Sequence, residues 1–373
     1  MYMYLELFAL LLIVALYVLL LVKRFVNVLC PGRDTAKQKC RRVILLLLIV
    51  ALSAVLCYGW DYGYSLFLQA GMFALVMEPV NWLVLLVTGR KDTRGGRFYR
   101  CWRRIFGLCL VPLILAGVMT VYGSFHIKDV KVNRYTVESE KLSESLTVLA
   151  VSDLHYPLVM TEERLSGLIS EMQQENPDLV LLVGDIVDEG TTKEEMQWVF
   201  SEFGKLQSTY GTYYVYGNHD DQQYETDKCY TLEELNAAVS NAGITLLADS
   251  FTELRDDLTL VGRKDYSELR ADLPELMEEV REDTFILVMD HQPQEYSLEE
   301  QEGTDLVISG HTHDGQLFPI GHIITLFHMA DVTWGEAHFG DTTAIVSSGI
   351  VGWGFPIRTQ GNSEYLVITL DPK

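Results

Sequence analysis

Five short polar clusters carry the residue types that hold metal ions and move protons. They are Asp153-Leu154-His155, Gly184-Asp185-Ile186-Val187-Asp188, Gly217-Asn218-His219-Asp220, Asp290-His291 and Gly310-His311-Thr312-His313. Carboxylates, an amide and imidazoles give mixed oxygen and nitrogen donors, a set suited to Mn, Fe or Zn rather than Ca. No thiolate belongs to the set, which disfavours a purely structural zinc. Asp-x-His alone is a weak signal. His-x-His is better, because alternation along an extended segment can send both rings toward one metal pair. The ordered set of five is strong, since clustered buried carboxylates and imidazoles are costly without a cation.

The elements that must position these clusters are short apolar runs. Leu146–Ser152, Leu179–Val183, Tyr213–Tyr216, Phe285–Met289 and Leu306–Ile308 read as strands, each ending directly at one cluster. Arg164–Glu175, Lys193–Leu206 and Leu232–Ala242 carry helical spacing between them. Nearly continuous apolar strands are buried on both faces, so helices must cover the sheets. Thr343–Ser348 and Glu364–Leu370 read as further strands with no helix between them. The result is an α/β sandwich whose strand ends converge on one rim, where open α/β sheets bind ligands.

Charge divides the 373 residues into two parts. Residues 1–123 hold 14 Lys/Arg and five Asp/Glu, and residues 124–373 hold 15 and 46, giving +9 and −31. An acidic C-terminal part argues against nucleic acid as partner, because a phosphate backbone needs a basic face. Only Cys229 of the six cysteines lies in that part, so no disulfide framework exists there.

Four apolar runs in the N-terminal part, Leu5–Val22, Val43–Trp60, Leu66–Thr88 and Ile105–Tyr122, approach the ~20 residues that span a bilayer. The first has no basic residue before it and two after it, so it reads as a retained helix rather than a secretory signal. Lys23–Arg42 and Arg90–Arg104 each hold seven basic residues and one acid, whereas Asp61–Ser65 holds no basic residue. Basic loops stay in the cytoplasm, so both termini and the acidic domain are expected outside. The reading is a multi-pass protein of the cell membrane. Glu78-Pro79 interrupts the third run and predicts a proline kink with a partnered carboxyl, or else a polar wall for a headgroup or ion.

From Leu146 to Leu370 the ordered clusters resemble the calcineurin-like metallophosphoesterase superfamily. Gly310-His311-Thr312-His313-Asp314-Gly315-Gln316 and the tail Gly349–Arg358 followed by Glu364 resemble a bacterial membrane-anchored subgroup of it. Asp314 stands where that subgroup usually has glycine, and Asp290 where a small residue is usual, so added negative charge is expected near the site. The resemblance implies a four-layer α/β/β/α sandwich after four transmembrane helices, and two divalent metal ions (Mn, Fe or Zn). One ion would take Asp153, His155, Asp185 and His313, and the other Asp185, Asn218, His291 and His311. Asp185 and a hydroxide would bridge them, with the hydroxide attacking phosphorus. His219 would protonate the leaving oxygen, Asp188 would orient its ring, and Asp220 is a supporting candidate.

Arg263 and Arg358 are scarce cations in an acidic domain and are candidates for substrate binding, or for ordinary ion pairs. His322, His328 and His338 read as loop or core histidines. The expected activity is hydrolysis of an extracytoplasmic phosphoester or pyrophosphate on a phosphorylated small molecule or lipid. The membrane anchor favours a lipid-linked substrate. Protein phosphatase activity and a catalytically silent membrane sensor or scaffold are the alternatives.

Overall fold

The computed structural model describes residues 17, 19–31, 35–59, 61–89 and 96–373, which fall into two units, Met1–Tyr122 and Gly123–Lys373. In the second unit the strands are β1 (Val130–Ser139), β2 (Leu146–Val151), β3 (Leu179–Val183), β4 (Thr212–Val215), β5 (Thr245–Leu246), β6 (Ser250–Arg255), β7 (Leu258–Gly262), β8 (Phe285–Met289), β9 (Leu306–Ser309), β10 (Gly335–Phe339), β11 (Thr342–Val346) and β12 (Ser363–Pro372). They form two six-stranded sheets, ordered β1-β12-β2-β3-β4-β5 and β10-β11-β9-β8-β7-β6. β2, β3 and β4 run parallel, as do β7, β8 and β9, so their carboxyl ends share one edge within each sheet.

Alternation decides which side chain faces which layer. On β2, Leu149 and Val151 pack toward the helices while Leu146, Val148 and Ala150 pack toward the other sheet. β8 repeats this, with Ile286 and Val288 facing outward and Phe285, Leu287 and Met289 facing the sheet interface. Both faces are therefore buried, and the layers run helices, sheet, sheet, helices. The covering helices start where their caps dictate. Thr192 and Thr231 each form a reciprocal capping box with Glu195 and Glu234, opening helices Lys193–Phe203 and Leu232–Asn241. Thr161 accepts from the Arg164 N–H at the start of helix Glu162–Gln173.

The N-terminal unit departs in part from the four-span reading. Residues 1–16 and 18, most of the first apolar run, lie outside the described residues, as do Trp60, Arg33, Arg90, Lys91 and Arg94. Helices Ala36–Gly59 and Asp61–Thr88 cover the second and third runs. The fourth run is broken into Arg97–Gly107 and Leu110–His126, bent by 51°. The break falls at Cys109, whose φ of 54° lies outside helical geometry. Among the described residues one helix, Tyr62–Thr88, is long and apolar enough to cross a membrane, or two if the bent pair is one span. Glu78 is partnered: Arg24 grips it with two hydrogen bonds of 2.7 and 2.9 Å, and Tyr17 and Asn81 donate to it.

Candidate metal centre

Residues at the carboxyl ends of β2, β3, β4, β8 and β9 meet, and six of them form two groups. Asp153, His155 and His313 make the first, and Asp185, His291 and His311 the second, with each group's ligand atoms within 4.8 Å of one another. Asp185 faces both. Its Oδ2 lies 3.0 Å from His291 Nε2 and 3.7 Å from His155 Nε2. Asn218 adjoins His219, whose backbone N–H donates to Asp185 Oδ1 at 2.9 Å.

The backbone is held in uncommon conformations to achieve this. Asp153, His155, Asp185, His311 and His313 all have φ between 43° and 70°. Such left-handed conformations persist only where the surroundings over-determine them, and they concentrate at functional sites. Two glycines allow the close approach. A Cβ at Gly217 would meet Asp185 Oδ1 at 2.2 Å, and one at Gly310 would meet Asp153 Oδ2 at 2.3 Å. Any side chain there would displace a carboxylate.

The donor set fits divalent ions on observations of the structure itself. Both ring nitrogens of His155, His313 Nδ1 and Asn218 Oδ1 are buried with no hydrogen-bond partner. Unpaired buried polar atoms are costly, and four together call for a cation. Burial keeps the rings neutral, lowering His155 to about 3 and His311 to about 4, and lowering His313 well below its usual value. Neutral imidazole is the form that ligates. His291 differs, because Val183 O lies 2.8 Å from its Nδ1 and Asp185 from its Nε2. Burial opposes its charge, yet Asp185 and Asp153 raise it well above the ordinary range. A cation beside Nε2 would take the place of that proton, and the Val183 carbonyl would fix the tautomer.

His219 stands beside the first group, its ring centroid 5.2 Å from that of His155. Burial lowers and Glu189 raises its basicity, with a net rise. The partner corrects the sequence expectation: Nδ1 lies 2.8 and 2.9 Å from the two Glu189 oxygens, not on Asp188. Asp188 makes no hydrogen bond to that ring; it accepts from Gly190 N–H at 2.8 Å and sits 3.7 Å from His155 Nδ1. Asp220 is wholly buried and accepts from the N–H groups of Asp185, Ile186, Val187 and Gly217. It clamps the β3 loop to the β4 loop.

Neither arginine reaches the site as a substrate contact. Arg358 is buried and spends its donors on the carbonyls of His313, Ser348 and Val351, so it braces the loop carrying His313. Arg263 is buried among Asp290, Glu295 and Glu299. Asp290 adds no free negative charge, because Arg270 also grips it, at 2.9 and 3.1 Å. Asp314 occupies a left-handed position with φ 49°, a conformation aspartate tolerates better than most residues and one that suits the glycine expected there. His322, His328 and His338 join neither metal group.

Three residues went unread in the sequence: Glu189, Tyr224 and Trp353. The Tyr224 and Trp353 rings each lie 5.1 Å from the His219 ring, with 60% and 46% of their surface exposed. An aromatic between two glycines, Gly352-Trp353-Gly354, was the available signal for one of them.

The comparisons agree with this geometry. Residues 146–315 match the family model of the calcineurin-like phosphoesterases. An uncharacterised metallophosphoesterase of Helicobacter pylori is 29% identical over 250 residues, covering 65% of this chain and 64% of that protein. One from Campylobacter jejuni is 28% identical over 316 residues, covering 82% and 80%. A zebrafish (Danio rerio) transmembrane protein with metallophosphoesterase domain is 27% identical, covering 93% and 85%. The chain thus matches about two thirds of the Helicobacter relative's length. Two three-residue donor groups facing one carboxylate lie at the ends of strands that this family model matches, so residues 146–315 are similar to the calcineurin-like phosphoesterases.

Proposed function

We propose that this chain hydrolyses a lipid-linked phosphoester or pyrophosphate at the extracytoplasmic face of a membrane, using two divalent metal ions. The observation that carries the chemistry is Asp185 facing both donor groups, with the His219–Glu189 pair beside them. Asp153, His155 and His313 would hold one ion, Asn218, His291 and His311 the other, and Asp185 both. When bound, such a pair supplies Lewis acidity toward a phosphoryl group and a water-derived nucleophile near neutral pH. His219 donates its proton to the leaving oxygen. Glu189 holds Nδ1 and favours the charged ring, which leaves the second nitrogen to deliver that proton. Asp220 and Arg358 keep the loops in place by binding backbone groups.

The lipid reading draws on the chain's apolar helices and on the segment after His313. In residues 317–334 Asp331 is the one charged side chain apart from two histidines, although the whole part carries −31. Leu326, Phe327, Met329 and Trp334 stand 72, 52, 60 and 42% exposed there. Exposed apolar groups of this density mark a surface that meets apolar matter. The test is lipid profiling of cells with and without the protein, paired with vesicle assays of the purified full chain. One phosphorylated lipid should accumulate in its absence and be cleaved in vitro only with added metal. Unchanged lipids together with cleavage of soluble phosphoesters alone would overturn the lipid assignment.

A further inference from the structure

A second polar site lies in the N-terminal unit, within residues 24–107. A cavity of about 420 Å³ is lined by Arg24, Asn27, Asn81, Arg100, Arg103 and Arg104, and among the described residues no carboxylate lines it. Arg24 is neutralised by Glu78. Arg100, Arg103 and Arg104 form no ion pair among the described residues. Three exposed arginines, one of them (Arg103) also lying 5.8 Å from the Tyr99 ring centroid, therefore line one space without a paired carboxylate among the described residues.

Two of the other polar residues of the lining, Arg24 and Asn81, are fixed. The bidentate grip of Glu78 locks Arg24, and Trp102 Nε1 donates to Asn81 Oδ1 at 3.0 Å while Asn81 Nδ2 donates to Glu78. The remaining wall is apolar, formed by Val28, Leu85 and Phe106. Retention of basic loops in the cytoplasm explains why arginines occur in this stretch. It does not explain why three of them line a cavity in which Arg24 and Asn81 are preorganised. Guanidinium forks match phosphate oxygens in geometry as well as charge. Basic pockets between membrane helices, walled on one side by apolar groups, suit an anionic headgroup with its glycerol and upper acyl carbons.

We propose that this cavity binds a phosphate anion, presented either as the headgroup of an anionic phospholipid or as free phosphate. The site is separate from the metal centre and independent of the lipid-linked substrate assigned there. The apolar wall favours the phospholipid.

The test is native mass spectrometry of the purified full chain in detergent, titrated with dioleoyl phosphatidylglycerol or dioleoyl phosphatidylcholine. Phosphatidylglycerol should be retained in preference to phosphatidylcholine. The Arg100→Gln, Arg103→Gln protein should bind it roughly tenfold less or weaker still, given the contribution of each basic residue at a membrane surface. Millimolar inorganic phosphate distinguishes the sources. Persistence of the phosphatidylglycerol adduct assigns a headgroup site, and its displacement together with a bound phosphate mass assigns free phosphate. Equal retention of the two lipids by the wild type, with no phosphate adduct, overturns the proposal without recourse to any variant. So does an undiminished phosphatidylglycerol preference in the double variant.

Discussion

The proton-donating role proposed for the His219–Glu189 pair has a specific signature when either residue is removed. His219→Ala should lose about 10²–10⁴-fold in turnover on substrates with poor leaving groups. Aryl phosphates should suffer far less, because their leaving oxygen needs little protonation. Glu189→Gln should follow the same pattern with a smaller loss of about 10–100-fold, the usual scale for a supporting hydrogen bond at a metal site. Asp188→Asn should leave the leaving-group dependence as in the wild type. Brønsted plots of the four proteins check this, and equal losses on alkyl and aryl esters would remove the donor role. The residues of the two candidate metal groups were legible in the sequence because each cluster follows a buried strand. The choice between Asp188 and Glu189 was not, because adjacent carboxylates in a loop differ only in where the turn sends them. For Arg263 the ion-pair alternative left open in the sequence is the one the structure shows, and Arg358 binds backbone carbonyls instead. Their scarcity suggested substrate binding, whereas burial without substrate demanded partners inside the fold.

At the scale of elements, β8 and helix Tyr296–Gln301 are joined by charge. Arg263 contacts Asp290 Oδ2 and Glu299 Oε1, each at 3.2 Å. Burial pushes Glu299 up from 4.5 to about 7. The native state thus keeps a proton there that the unfolded chain releases, so this group's contribution is full at low pH. It is lost as pH rises through about 7. The unfolding free energy of wild type minus Glu299→Gln should fall by no more than roughly 3 kcal/mol from pH ~4.5 to ~7.5. Denaturant unfolding at both ends checks it, and a difference flat with pH would contradict the raised value. The apolar segment after His313 gives another prediction. Leu326→Ser with Phe327→Ser should lower kcat/KM on vesicle-embedded substrate about tenfold or more, given two lost apolar side chains. Soluble bis(p-nitrophenyl) phosphate should be cleaved as before, and parallel losses would deny that segment a membrane role. Strands such as β3 and β8 were read correctly to the residue, since both their faces are apolar. β6 and β10 escaped notice because their mixed side chains lack either clear alternation or a continuous apolar run.

For the whole molecule, the placement of charge makes a claim about sidedness. Cys229 is exposed in the acidic part and Cys40 and Cys101 are exposed in or beside the basic loops. With only Cys229 retained, a membrane-impermeant maleimide should label intact cells, whereas a protein retaining only Cys40 or Cys101 should label after lysis. The reverse pattern would move the substrate to the cytoplasmic side. The central claim, a two-metal centre joined by one carboxylate, is tested most directly by elemental analysis of the purified full chain. Wild type should carry two divalent ions per chain, and Asp185→Asn should lose at least one of them along with metal-dependent phosphoester hydrolysis. Two ions retained in Asp185→Asn, or none taken up by wild type under saturating Mn, Fe or Zn, would contradict it.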